Sequence, residues 1–304
     1  MSLKVAYIPE HFSTPLFLAE KHEFYKEANL SIEFIPVPEG SGRLIKLLNS
    51  KEVDLAIGLT EAFIADISKG NNQLKILDTY VNSPLLWSIS TGFNRDEISN
   101  TEDLKKFGKV GISRIGSGSY VMSFVLAHQL GFQKFEEFKI CSNFKNLRNS
   151  VNHSGSDDIE NSDFFMWEYF TSKKYYDNNE IKKIGEIYTP WPSWVIVGSS
   201  TSIETKSKEI SNFIKAVNKG INYFNNHLDE AIEYIGNNLD YSIEDAKNWT
   251  KTVEFNSEIG EKPLDWDKIV TKTTNVLKDA GVLKDEDDKI INERLESNVY
   301  KTNI

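Results

Sequence analysis

Lys109-Val110-Gly111-Ile112-Ser113-Arg114-Ile115-Gly116-Ser117-Gly118-Ser119 carries a short apolar run into a loop of small and polar residues, and a helix-like stretch follows. The same arrangement stands at the N-terminus, where Leu3-Lys4-Val5-Ala6-Tyr7-Ile8 ends in Pro9-Glu10-His11-Phe12-Ser13-Thr14. Each unit reads as a strand feeding a helix. Two such units far apart predict two lobes, each presenting a loop and a helix N-terminus. If those ends face each other, they form a cleft for a small molecule.

Around these units the first lobe alternates strand and helix signals. Pro15 suits a first helical position, and Phe17, Phe24 and Ala28 mark one helical face as far as Asn29. Ile32–Pro36 reads as a strand, and Leu44, Leu47 and Leu48 as the stripe of a second helix. Asp54–Gly58 reads as a buried strand, Thr60 as the cap of a third helix with Glu61 in its first turn, and Leu74–Tyr80 as a further strand. Strands alternating with helices predict a mostly parallel sheet with right-handed crossovers.

Beyond it, Leu85–Ser90, Phe138–Ser142, Asp163–Glu168, Ile181–Tyr188 and Trp194–Gly198 read as strands. Tyr120–Gly131 and Leu147–His153 read as helices, and Ser154–Asp158 as a loop. After Ser200 the pattern is helical. Ile210, Phe213, Ile214, Val217, Ile221 and Phe224 recur at spacings of three and four. Ser242-Ile243-Glu244-Asp245 resembles a capping box, and Gly281 stops a later helix. Lys284–Ile304 reads as a peripheral helix with a frayed tail.

Composition narrows the function classes. The chain has 304 residues and a net charge of −10. That charge argues against nucleic acid or an anionic membrane as principal partner. No apolar run approaches the roughly 20 residues that span a bilayer. Met1-Ser2-Leu3-Lys4 leads directly into the first strand without a secretory pattern, which predicts a cytoplasmic protein. The single cysteine, Cys141, allows no internal disulfide and no Cys-rich metal site. No two histidines stand at i, i+4 for a helical metal motif. Met122 breaks the dinucleotide spacing after Gly116 and Gly118, and no P-loop or Gly-x-Ser-x-Gly elbow is present. No cofactor, metal or catalytic residue is assigned.

The residues Tyr7-Ile8-Pro9, the Leu18–Tyr25 helix, Leu44–Ala56, Gly116–Ser119 and Trp167-Glu168 together resemble the bilobal class II periplasmic-binding-protein family. The branch resembled contains alkanesulfonate/taurine and thiamine-precursor binding proteins and fungal thiamine-pyrimidine synthases of the NMT1/THI5 type. The resemblance implies a two-lobed α/β fold with mixed sheets flanked by helices and a helical C-terminal part. It implies lobe I from 1–88 and 200–304, lobe II from 93–194, and crossings near 87–92 and 197–201. The chain departs from the family at Ser50-Lys51-Glu52-Val53-Asp54, where members carry Gly before Asp. The synthases carry a cysteine-rich iron motif that Cys141 alone cannot supply.

Candidate ligand contacts follow from position. Gly116, Ser117, Gly118 and Ser119 open a helix after a strand, where free N–H groups and the dipole suit a polar ligand; a plain N-cap is the other reading. Glu10, His11 and Phe12 lie at the carboxyl edge of the first strand, and Thr60 at the equivalent edge of another, where open α/β sheets hold ligands. Trp167 offers a stacking face beside the Glu168 carboxylate, or is core Trp with a surface Glu. Trp191, between two prolines, sits at the rim. Three carboxylates opposed by few bases fit an amine-bearing heterocycle, similar to a thiamine pyrimidine precursor, better than an anion. The expected function is therefore an intracellular small-molecule binding protein whose lobes close on such a ligand. Two alternatives stay open: an enzyme of the same fold in pyrimidine or cyclic-acid metabolism, and a ligand sensor with a protein partner.

Overall fold

The computed structural model describes residues 2–132, 134–155 and 160–300. The first lobe begins β1 (Ser2–Tyr7), α1 (Thr14–Lys21), α2 (Phe24–Glu27), β2 (Ser31–Pro36), α3 (Ser41–Asn49), β3 (Leu55–Leu59), α4 (Thr60–Ser68) and β4 (Leu74–Val81). The second lobe holds β5 (Leu86–Gly92), β6 (Lys109–Ile112), α5 (Gly118–Gln129), β7 (Glu137–Ile140), α6 (Phe144–Val151), β8 (Phe164–Glu168), α7 (Tyr169–Asp177) and β9 (Ile181–Tyr188). The chain then returns through β10 (Trp194–Ser199) to α8 (Ser200–Thr205), α9 (Ser207–Asn226), α10 (Leu228–Asn238), α11 (Ile243–Thr250), α12 (Lys272–Asp279) and α13 (Asp288–Asn298).

Each lobe is built on a five-stranded mixed sheet, ordered β2-β1-β3-β10-β4 in the first and β7-β6-β8-β5-β9 in the second. β1 pairs parallel with β2 and β3, and β6 parallel with β7 and β8. The strands that enter from the other lobe run antiparallel: β10 lies between β3 and β4, and β5 between β8 and β9. Each lobe thus donates one strand position to chain arriving from the other.

The exchange shifts the crossings. β5 lies wholly in the second sheet and β10 wholly in the first, so the chain passes at 82–85 and 189–193. Those positions precede the expected 87–92 and 197–201. A strand pairs along its length, so the breaks fall at Pro84, Pro190 and Pro192, which lack the N–H a ladder needs. The two crossings run side by side. Leu85 N donates to Thr189 Oγ1 at 2.9 Å, and Ser193 N and Oγ both donate to Ser83 O.

Helix ends depart from the sequence expectations where backbone turns intervene. The expected Pro15–Asn29 helix breaks at Glu23, whose φ of 59° ends α1 and restarts the chain as α2. Thr60 is not the cap of α4. That position is Leu59, while Thr60 Oγ1 donates to Pro192 O at 2.5 Å and ties α4 to a crossing. The stripe on α9 is buried as its period demands and packs on α1 and β1. Gly220 allows that approach, since a Cβ there would lie 2.4 Å from Pro15 O. Ser242 caps α11 by accepting from Asp245 N. The C-terminal segment is not frayed through Tyr300. Ile291 and Leu295 of α13 are buried, and Tyr300 N donates to Ile76 O. Residues 301–304 and 156–158 of the expected Ser154–Asp158 loop lie outside the described residues. No helix among the described residues is long and apolar enough to cross a membrane.

Candidate functional site

Two helix N-termini meet between the lobes. α3 begins at Gly40-Ser41 after the β2 edge, and α5 begins after its N-cap Ser117. A Cβ on Gly42 would lie 3.5 Å from Ser117 N and 3.4 Å from Arg114 Cβ, so these turns touch across the cleft. The first-lobe partner of the Gly-Ser loop is therefore the α3 start rather than the α1 start.

Under this contact lies a cavity of about 30 Å³, room for about two waters. The lobes are closed on it. Of the expected residues, Glu10, Ser117, Gly118, Ser119, Trp167 and Glu168 line it. His11, Phe12, Thr60, Gly116 and Trp191 do not. Leu59, Leu85, Trp87 and Trp194 also form its walls, with Ile8, Gly40, Ser41 and Ser113.

The carboxyl edge of β1 delivers Glu10, which is buried. Trp167 Nε1, at the end of β8, donates to Glu10 Oε1 at 2.9 Å from the opposite lobe. Burial, with the Glu168 charge adding to it, pushes the Glu10 carboxyl up to about 8 against the opposing pull of the Trp167 bond. Near neutrality Glu10 can therefore donate as well as accept. Glu168 is the N-cap of α7, where its Oε2 accepts from Thr171 N at 2.7 Å and Thr171 Oγ1 at 3.0 Å. The same oxygen stands 3.4 Å from His11 Nε2.

His11 is fully buried and sandwiched between Tyr241 and Trp249, with ring centroids 4.4 and 4.2 Å away and both nearly parallel. It braces the Glu10 loop from behind. Phe12 packs against Trp194 and Trp249. Gly116 serves the loop, with φ of +81°, a conformation that favours glycine. Trp191 is buried and donates to Glu61 Oε2 at 3.0 Å, next to the crossing. Burial raises the Glu61 carboxyl to about 7, although its own backbone N–H and the Trp191 bond pull it down.

The hydroxyls of the Gly-Ser loop are engaged internally. Ser117 Oγ accepts from Tyr120 N, and Ser119 Oγ bonds Ser117 Oγ and accepts from Ser113 N. Unpartnered donors belong instead to two tryptophans that the sequence reading placed in strands and did not assign to the ligand. Trp87 Nε1 and Trp194 Nε1 are buried without a partner. Their signal was positional: Trp194 opens β10 and Trp87 is the second residue of β5, each just after a proline-containing crossing.

Residues 87–187, from β5 to β9, match the Ca3427-like PBP family. The Candida albicans CA3427 gene product, described as defining a new family with the generic periplasmic binding protein fold, is 67% identical. That match covers 100% of this chain and 97% of the other, with a TM-score of 0.95. The alkanesulfonate-binding protein SsuA from Xanthomonas axonopodis pv. citri, bound to MOPS, shares the fold at 12% identity. There the match covers 98% of this chain and 97% of the other, with a TM-score of 0.71. The Escherichia coli aliphatic sulphonate binding protein SsuA is also 12% identical, covering 100% of this chain and 93% of the other, with a TM-score of 0.64. No curated protein matches the sequence. At two-thirds identity along its full length, the chain belongs to the CA3427 family of proteins with the periplasmic-binding-protein fold.

Proposed function

We propose that this protein reversibly binds a planar, amino-substituted heterocycle of the aminopyrimidine class in the interlobe cleft, inside the cell. The observation that carries this reading is that Glu10 lines one cavity together with Trp87 and Trp194, two indoles whose buried N–H groups have no partner among the described residues. A buried N–H without a partner costs about 1–3 kcal/mol, and a ring nitrogen of a ligand would remove that cost. Glu10 supplies the complementary group for an exocyclic amine. Ile8, Leu59, Leu85 and the indole rings offer apolar surface for a flat ring. Among the described residues no Lys or Arg lines the cavity, so an anion would meet Glu168 without a cationic side chain. The free thiol of Cys141 fits a reducing compartment.

The closed cavity is too small for such a ring. Binding therefore requires the lobes to part about the paired crossings and reclose on the ligand. Calorimetry and thermal shift with 4-amino-5-hydroxymethyl-2-methylpyrimidine, taurine and nitrate test the reading. The pyrimidine is expected to stabilise the protein, by about 2.7 kcal/mol at 100 times its Kd. Tight taurine or nitrate binding without a pyrimidine response overturns it.

A further inference from the structure

The Glu10–Trp167 bond has a second side. Beyond it the cleft opens into an outer cavity of about 180 Å³, which shares only Ile8, Glu10 and Trp167 with the inner one. Four aromatic rings line this outer space: Phe144, Trp167 and Tyr175 from the second lobe, and Tyr241 from the first. Each ring is held by a neighbour. Trp167 stacks on Phe144 at 5.2 Å, Tyr241 stacks on His11 at 4.4 Å, and the Arg148 guanidinium lies 3.6 Å from the Tyr175 ring centre. The wall is thus preorganised, and the Arg148 guanidinium already lies against two of its rings, Tyr175 and Phe144.

Among the described residues, the ionisable side chains on this lining, apart from the tyrosines, are the carboxyls of Glu10 and Asp240. Lys174 and the Tyr175 hydroxyl donate to Asp240. Burial alone would raise the Asp240 carboxyl, but those two bonds outweigh it and keep it low, so it is ionised at neutral pH. Lys174, its counter-ion, is half exposed and does not line the cavity. Four aromatic side chains around one space with a carboxylate, and no lysine or arginine among the described residues of its wall, favour a poorly hydrated cation.

We propose that this outer cavity is a subsite for a quaternary or other bulky ammonium group, adjoining the inner cavity at Glu10 and Trp167. It would take either a separate cationic ligand or the cationic arm of a ligand whose flat part lies inside. The subsite holds whatever occupies the inner cavity.

Tetramethylammonium chloride is the probe, titrated at constant ionic strength and followed by tryptophan fluorescence and by saturation transfer to its methyl protons. tert-Butanol, neutral and of similar shape, is the control. Saturable tetramethylammonium binding is expected, with no matching tert-butanol response. Tyr175→Leu and Asp240→Asn, checked for folding by circular dichroism, are each expected to weaken it about fivefold. Equal responses to the two probes, no saturable response, or indifference to both substitutions overturns the subsite. The pyrimidine titration run in parallel separates the two readings: pyrimidine binding without tetramethylammonium binding rejects only the outer subsite, and the reverse rejects only the inner-cavity reading.

Discussion

Trp167 Nε1 in the second lobe donates to Glu10 Oε1 in the first at 2.9 Å, across 157 residues of chain. The bond joins the lobes directly, and both of its residues line the inner cavity and the outer one. Contacts of the protein itself therefore contribute to the closed arrangement. Thr171 Oγ1 with Tyr241 Oη at 2.8 Å, and Arg114 with Glu39 at 3.7 Å, add to the same closed arrangement.

Trp167→Phe keeps an aromatic ring against Phe144 and removes the N–H. Glu10 then stays buried with one donor fewer, and the closed form should lose about 1–3 kcal/mol. Small-angle scattering should report a larger apo radius of gyration with an unchanged circular dichroism spectrum. Trp167→Ala should also abolish any pyrimidine-induced thermal shift. An unaltered shift would remove Trp167 from the site.

Stability should fall as pH rises through neutrality. The folded Glu10 carboxyl titrates at about 8 and Glu61 at about 7, against an ordinary value of 4.5. Between those limits the folded state binds more protons than the unfolded state, so ∂ΔG/∂pH is negative. The contribution is complete below 4.5 and is lost as pH rises through 7 to 8. Calorimetric Tm should decline from pH 5.5 to 8.5, and Glu10→Gln and Glu61→Gln should each flatten the decline. An identical slope in both variants would refute the assignment.

Trp191→Phe removes the one side-chain donor to Glu61 among the described residues, where its Oε1 has no partner. The expected cost is about 1–3 kcal/mol in urea unfolding. Glu61→Met combined with Trp191→Phe should recover most of it, because no buried carboxyl then needs a donor. A double variant no better than Trp191→Phe alone would mean the loss is one of packing.

Gly118→Val should hold the lobes apart. Even a Cβ at this position would lie 2.3 Å from Leu59 Cδ1 of the opposite lobe and 3.2 Å from the Trp87 ring. Leu59 is buried, so valine's two further methyls press on it from across the cleft, while the Trp87 ring, in the same lobe as Gly118, blocks retreat. Apo scattering should show an opened molecule, and pyrimidine affinity should fall at least about tenfold, or ~1.4 kcal/mol. Gly42→Ala, whose added Cβ meets only ordinary contacts of 3.4 Å or more, is the control and should bind normally.

Much of the scaffold was readable in advance because its signals are local. The α9 stripe follows helical periodicity, Ser117 and Ser242 are caps, and Gly281 ends α12 in a positive-φ turn. Glu10, Trp167 and Glu168 were legible as residues at strand ends, the edge where α/β sheets place their loops. His11 and Thr60 occupy the same kind of edge but turn inward, one into an aromatic sandwich and the other onto the Pro192 carbonyl. No property of the loop itself distinguishes those outcomes.

Residue order alone set the strand-loop-helix units and the two-lobed plan, because hydrophobic period, caps and turn residues act over a few neighbouring positions. The assembled chain set the rest: the exchange of β5 and β10, the meeting of the α3 and α5 starts, and the arrival of Trp87 and Trp194 at one cavity. These depend on which strands pair and how two sheets face each other. That is settled by packing between segments far apart in the chain, and such contacts leave no pattern in any one of them.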